Sequence, residues 1–156
     1  MGHEDKAIYS KPTKVAIRIL THFAGGGRER FHTGREVSAG TGISEPTVAK
    51  TLQCLAKEGI LESRKGPGGG FRLALPPEQI SLRRIVYTID GGDPFDACIS
   101  CSSKCEDDPL CPLHDKWKGV KEVIFDFMDS TSVRDMHEAV TRKGPPEKPV
   151  EGRIFG

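Results

Sequence analysis

The chain has 156 residues, 36% of them hydrophobic, and a formal net charge of +1. That length holds one domain, or one domain with an appendage, and the near-neutral total excludes a chain that is basic throughout. Residues 1–75 nevertheless carry 12 Lys/Arg against 7 Asp/Glu, and residues 76–156 carry 11 against 15, so a half of net +5 precedes a half of net −4. A basic lobe joined to an acidic one fits a nucleic-acid-binding unit with something attached to it.

No apolar run approaches the roughly 18 residues that a membrane span needs. Lys6, Lys11, Lys14 and Arg18 interrupt any h-region near the start. The expectation is a cytoplasmic protein with no membrane partner. Cysteines stay reduced in that compartment, where a cysteine cluster points to metal or redox chemistry more often than to a disulfide framework. Five cysteines, an odd number, also fit a disulfide framework poorly.

Residues 1–11 read as a loose start, with Pro12 at the entry of a helix. Ala16, Ile17, Leu20 and Phe23, with Ile19 beside them, follow helical spacing, and Gly25-Gly26-Gly27 ends the run. Arg28 to Thr33 is a polar connection. Thr33-Gly34-Arg35-Glu36 has the form of a capping box, in which Thr caps the helix and Glu reaches back. The short helix that follows carries Val37 and Ala39 and stops near Gly40-Thr41-Gly42. Ser44 is the expected N-cap of a third helix, with Pro46 in its first turn. Val48, Leu52 and Leu55 give its apolar stripe, and Gly59 ends it. Two helices joined by a tight glycine-containing turn are helix-turn-helix organisation, a pattern that helical bundles also produce by chance.

The next stretch sharpens that reading. Residues 60–64 and 71–75 read as strands, and Lys65-Gly66-Pro67-Gly68-Gly69-Gly70 between them as a turn. A hairpin directly after such a helix is a wing. Its tip is basic and nearly free of side chains. The amides of Gly66 and Gly68 can therefore approach phosphates, and Arg64 or Lys65 can reach a minor groove. The bland alternative is an ordinary hairpin with a glycine-rich turn. On the wing reading, Ser44, Thr47 and Lys50 at the start of the third helix lie nearest a major groove.

Pro76-Pro77 breaks the wing. Ser81 caps a helix through Ile89, and Gly91-Gly92-Asp93-Pro94 opens a loop. The chain then gathers four of its five cysteines between Cys98 and His114, in CISCSSKCEDDPLCPLH. After the loop, Trp117, Val120, Ile124 and Phe127 or Met128 recur at helical spacing. That helix carries more apolar surface than a lone exposed helix should, so Trp117, Val120, Ile124 and Phe127 are expected to pack on a second copy of the chain. The alternative is that they cover their own core. Ser132 caps a last short helix to Val140, and residues 142–156 read as a disordered tail.

Thiolates suit soft metal centres such as iron–sulfur clusters, and the wide spacing of Cys98, Cys105 and Cys111 suits a loop draped around an object several ångströms across. Structural zinc is the alternative, because Cys98-Ile99-Ser100-Cys101 is a CxxC that Cys105, Cys111 or His114 could complete. Zinc sites usually pair two such knuckles, and only one is present. Free thiols that switch by forming disulfides are a third reading. An oxidoreductase would need its CxxC at a helix N-terminus to activate a thiol; here it lies in a loop with acidic residues after it, and no enzyme is expected. Cys54 reads as a small buried hydrophobe. His22, His32 and His137 have no companions at ligand spacing and read as ordinary surface or core histidines.

The segments KPTKVAIRIL, ISEPTVAKTLQCLAKEGILESRKG, GPGGGFRLA and CPLHDKW, in this order, resemble the Rrf-type winged helix-turn-helix transcriptional regulators (IscR/NsrR-like iron–sulfur regulators) over roughly residues 10–130. The resemblance implies a mainly α fold with a small β-hairpin: a winged helix-turn-helix over 10–80, then a cysteine loop and long dimerisation helix over 81–141. It implies a homodimer on a pseudo-palindromic double-stranded operator, with affinity set by an iron–sulfur cluster. A 2Fe–2S cluster is the first choice, 4Fe–4S the second and zinc the alternative. Cys111, His114 and Cys105 match the family's ligand spacing. Cys98 matches its first cysteine, but the gap to Cys105 is one residue longer than the family pattern, and Cys101 is extra. Either Cys98 or Cys101 is then the first ligand. Lys14 and Arg18 stand where some members supply a carboxylate or histidine from the partner chain, and neither can ligate. That leaves His114 as fourth ligand, or Cys98 and Cys101 both taking part.

Overall fold

The computed structural model describes residues 9–92, Phe95 and 111–144. Cys98, Cys101 and Cys105, and the chain from residue 145 onward, lie outside the described residues. Six helices and one hairpin make up the described chain: α1 (Lys11–Gly25), α2 (Gly34–Thr41), α3 (Glu45–Lys57), β1 (Leu61–Arg64), β2 (Gly70–Leu73), α4 (Leu82–Asp90), α5 (His114–Ser130) and α6 (Val133–Lys143), with one 3-10 turn at Pro77–Gln79. The fold is mainly α with a small antiparallel hairpin, as expected.

Local chemistry starts most of these elements. Ser10 accepts a hydrogen bond from the Thr13 amide, so α1 begins at Lys11, inside the segment expected to be loose. Thr33 and Glu36 form the expected capping box. It satisfies two of the amides that a helix start leaves without partners. Gly42, at φ 70°, closes α2 in the left-handed region that favours glycine. Ser44 holds the N-cap position of α3, but its hydroxyl pairs with the Thr47 hydroxyl at 2.9 Å instead of capping an amide.

The core gathers α1, α2, α3, the hairpin, α4 and α6 around one cluster. Ala16, Ile19, Leu20, Val37, Val48, Leu52, Leu55, Ile60, Ile85 and Val133 are fully buried in it. Ile19 is thus a central residue of α1, whereas Ile17 is only half-buried and also touches a second, smaller cluster. That cluster consists of Leu82, Val86 and Met128, flanked by Tyr9, Phe95, Ile124 and Met136. It seats α5 on α4.

The starts of α4 and α6 lie side by side. The Leu82 amide donates to the Thr131 carbonyl at 2.8 Å, and the Val133 amide to the Ile80 carbonyl at 2.9 Å. Ser81 caps α4, and Ser132 forms a second capping box with Asp135. Helical backbone continues to Lys143, so Arg142 and Lys143 are helical and not part of a disordered tail.

The hairpin pairs Leu61 with Leu73 and Arg64 with Gly70. The strands therefore run 61–64 and 70–73, shifted from the expected 60–64 and 71–75. The residues between α1 and α2 are more than a polar connection. The His32 amide donates to the Phe71 carbonyl at 2.8 Å and the Phe71 amide to the His32 carbonyl at 2.9 Å, which lays this stretch against β2 as a short third rung.

Candidate functional site

Ser44 and Lys50 are exposed and Thr47 half-buried on the first turns of α3. The inner side of the same helix is pinned by Val48, Leu52 and Leu55, all fully buried. Apolar positions at i, i+4 and i+7 thus fix which residues α3 turns outward. Arg35 on α2 lies 3.6 Å from Glu45 across the turn, an exposed pair that tethers the two helices weakly.

Arg64, Lys65, Gly66 and Gly68 are exposed at the wing tip, and Gly66 and Gly68 adopt φ of 88° and 71°. The base of the wing is braced around Phe31, which the sequence did not single out. The Arg64 guanidinium lies 4.3 Å from the centre of the Phe31 ring, and that of Arg72 lies 4.6 Å from it. Cation–π contacts of this kind contribute about 0.5–1 kcal/mol each at exposed sites. Arg72 also pairs with Glu62 at 2.8 Å across the hairpin. A side chain at Gly70 would collide with the His32 backbone, and one at Gly69 with the Arg64 carbonyl. These glycines are therefore needed for close backbone approach. Phe31 looked like part of a polar connection because its ring contacts lie more than 30 residues along the chain.

Of the thiol-rich loop, Cys111 and His114 lie within the described residues. Cys111 is a half-buried free thiol. The His114 amide donates to the Cys111 carbonyl at 3.1 Å, and His114 opens α5. One turn on, Trp117 is half-buried, and its Nε1 is buried without a hydrogen-bond partner. Among the described residues no three His, Cys, Asp or Glu side chains gather as a metal site.

The four residues expected at an interface divide between two faces of α5. Val120 and Phe127 are 48% and 55% exposed. Trp117 and Ile124 turn inward, and Ile124 joins the smaller cluster. Val123, 70% exposed, lies on the open side with Val120 and Phe127. Leu113, Val120 and Phe127 recur every seven residues with Val123 between them, the spacing of a helix–helix seam.

The three histidines read as unrelated are brought near one cavity between α1, α2 and α6. The His22 and His32 ring centres lie 6.2 Å apart. Burial lowers the pKa of both, with His32 adding to the effect on His22 and Arg30 to that on His32.

A winged hairpin after α3, with α5 beyond a cysteine loop, is the arrangement that the Rrf2 family model, described as an iron-dependent transcriptional regulator, matches over residues 9–139. The chain belongs to the Rrf2 family. A protein from Aquifex aeolicus (strain VF5), named for an HTH-type transcriptional regulator, is 31% identical over 131 residues, 83% of this chain and 90% of that protein. The HTH-type transcriptional regulator IscR of Aliivibrio salmonicida is 30% identical over 103 residues, 65% of this chain and 60% of that one. The structure of CymR (YrzC), the global cysteine regulator of B. subtilis, shares the fold with a TM-score of 0.68 and 20% identity, covering 83% of this chain and 95% of that one. As an Rrf2 member the protein is a DNA-binding transcriptional regulator with a helix-turn-helix. No helix among the described residues is long and apolar enough to cross a membrane.

Proposed function

We propose that this Rrf2 protein is a cytoplasmic homodimer that binds a pseudo-palindromic operator with an affinity set by an iron–sulfur cluster on its Cys98–His114 loop. The observation that carries this reading is continuity. Cys111 and His114 lead straight into α5, the helix whose outer face leaves Val120, Val123 and Phe127 uncovered. A change at the loop is thereby handed to the helix that would join two copies.

The donor set fits the group. Cys105, Cys111 and either Cys98 or Cys101 supply thiolates, with His114 as fourth ligand or Cys98 and Cys101 both bound. A 2Fe–2S cluster is favoured over 4Fe–4S. Bound there, the cluster supplies a redox-sensitive centre that can be lost or modified. The remaining steps belong to the chain itself. Ser44, Thr47 and Lys50 meet base edges in a major groove, while Arg64, Lys65 and the amides of Gly66 and Gly68 grip the backbone beside it. Half-sites are separated by about one helical turn, ~10 bp, or a multiple.

The deciding experiment is iron and sulfide analysis with absorbance on anaerobically purified protein, followed by selection of bound DNA before and after air exposure. A coloured protein that bleaches and changes its DNA affinity supports the reading. A colourless protein with zinc makes the loop structural and leaves only the winged helix. Lys65→Ala is expected to weaken operator binding and reduce its salt slope by about 1. An unchanged slope removes the wing contact.

A further inference from the structure

Beside the DNA-binding elements, a groove of about 1010 Å³ runs between α1, α2 and α6, a volume in the range of small-molecule sites. Its apolar lining includes Ile17 on α1 and Met136 and Val140 on α6. Two cations enter from α1: Lys14 and Arg18, one turn apart and half-buried, have no ion-pair partner among the described residues. The tip of Arg18 reaches the turn between α2 and α3, within 3.8 Å of where a Gly42 side chain would begin.

Three imidazoles complete the lining, each set against a glycine. A side chain on Gly25 would come within 2.7 Å of the His137 ring and one on Gly26 within 2.7 Å of His32 Nε2, while one on Gly40 would collide with His22. His32 is only 6% exposed, and its Nε2 has no hydrogen-bond partner. A buried polar atom without a partner costs about 1–3 kcal/mol. Unpaired cations, an unsatisfied imidazole and an apolar wall on one concave surface are the complement of a small amphiphilic anion.

The geometry points to a ligand site in the α1–α2–α6 groove for a small organic carboxylate, its head between Lys14, Arg18 and the imidazoles and its apolar body against Ile17, Met136 and Val140. The site lies outside the thiol loop of its own chain, although the resemblance sets Lys14 and Arg18 toward the loop of a partner. Because it is read without DNA, its failure is distinguishable from a failure of operator binding.

The test uses the full chain. Octanoate, 1-octanol and inorganic phosphate are titrated separately while the histidine ring resonances are followed by NMR. Octanoate is expected to shift His22, His32 and His137 saturably and to leave His114 unmoved. The Lys14→Ala/Arg18→Ala double variant should bind at least about tenfold more weakly, since it removes both cations and the loss of even one charge-assisted contact implies that much. Val140→Trp, at an exposed position on α6, should block the groove with the cations intact. The amide spectrum checks that each variant is folded. No saturable shift overturns the site. Equal binding of octanol, or undiminished binding by the double variant, reduces it to an apolar patch. Equal binding of phosphate removes the apolar half of the proposal.

Discussion

The winged head and α5 use similar residues to opposite ends. In the head, Ile19, Leu20, Leu52 and Leu55 are fully buried, and every element contributes to one cluster. On α5 only Met128 is buried, while Val120, Val123 and Phe127 stand in solvent. Apolar content alone therefore does not distinguish a core from a contact surface. What distinguishes them is whether neighbouring elements arrive to cover the stripe. The head covers its own apolar stripes, and α5 leaves one apolar face open.

Substitutions can separate the two regions. Leu52→Ala should have the largest effect, about 2–5 kcal/mol lost in denaturant titration, because Leu52 is fully buried and its truncation leaves a cavity. Gly70→Ala should come next, at roughly 1–3 kcal/mol, since φ of 134° and the His32 backbone both oppose a side chain. A wild-type melting curve for this variant would show that the third rung is dispensable. Thr33→Ala should cost about 1 kcal/mol by removing the α2 cap.

Acid should weaken the head in two windows. His22 and His32 are held below their ordinary pKa of 6.5, chiefly by burial, with Arg30 lowering His32 further and Glu36 opposing. The unfolded chain takes up these protons first, so stability falls as pH drops through 6.5 toward the folded values. Hydrogen bonds from Thr33 to Glu36 and from Ser132 to Asp135 hold those carboxylates low, so a second loss follows in stronger acid. Denaturant midpoints measured across pH should show both; a flat profile between pH 7 and 5 would contradict the buried imidazoles.

The smallest effect on the fold is expected from Val123→Glu, within about 0.5 kcal/mol, as for other exposed positions. On the proposed homodimer its effect on assembly should be large, with sedimentation expected to report pairs for the wild type and monomers for the variant. A variant as unstable as Leu52→Ala at every concentration would mean that Val123 packs within its own chain.

The sequence was most informative where the chemistry is local. Thr33 and Glu36 are three residues apart, and their capping box forms as read. The glycine-rich tip could be nothing but a turn. Long-range partners were not legible: Phe31 meets Arg64 and Arg72, and His32 meets Phe71, across separations that no periodicity encodes. The division of α5 into a covered and an open face was not legible for a related reason. Both faces of that helix are apolar, so spacing identified a stripe through Trp117 and Ile124 without showing which side the smaller cluster would claim. Cys98, Cys101 and Cys105 lie outside the described residues, so the ligand set still rests on the resemblance.

One consequence follows from the junction at Ser81 and Ser132. The Leu82 amide is hydrogen-bonded to the Thr131 carbonyl, so the chain that departs through α4 comes back, at the end of α5, to the point where α4 began. A chain excursion with clasped ends can change length at modest entropic expense, because loop closure grows only logarithmically. The stretch between α4 and α5 is thus an insert between two helices whose far ends are joined. On the proposed function, lengthening or replacing the stretch between α4 and α5 would alter what the protein responds to while the reading head keeps its shape.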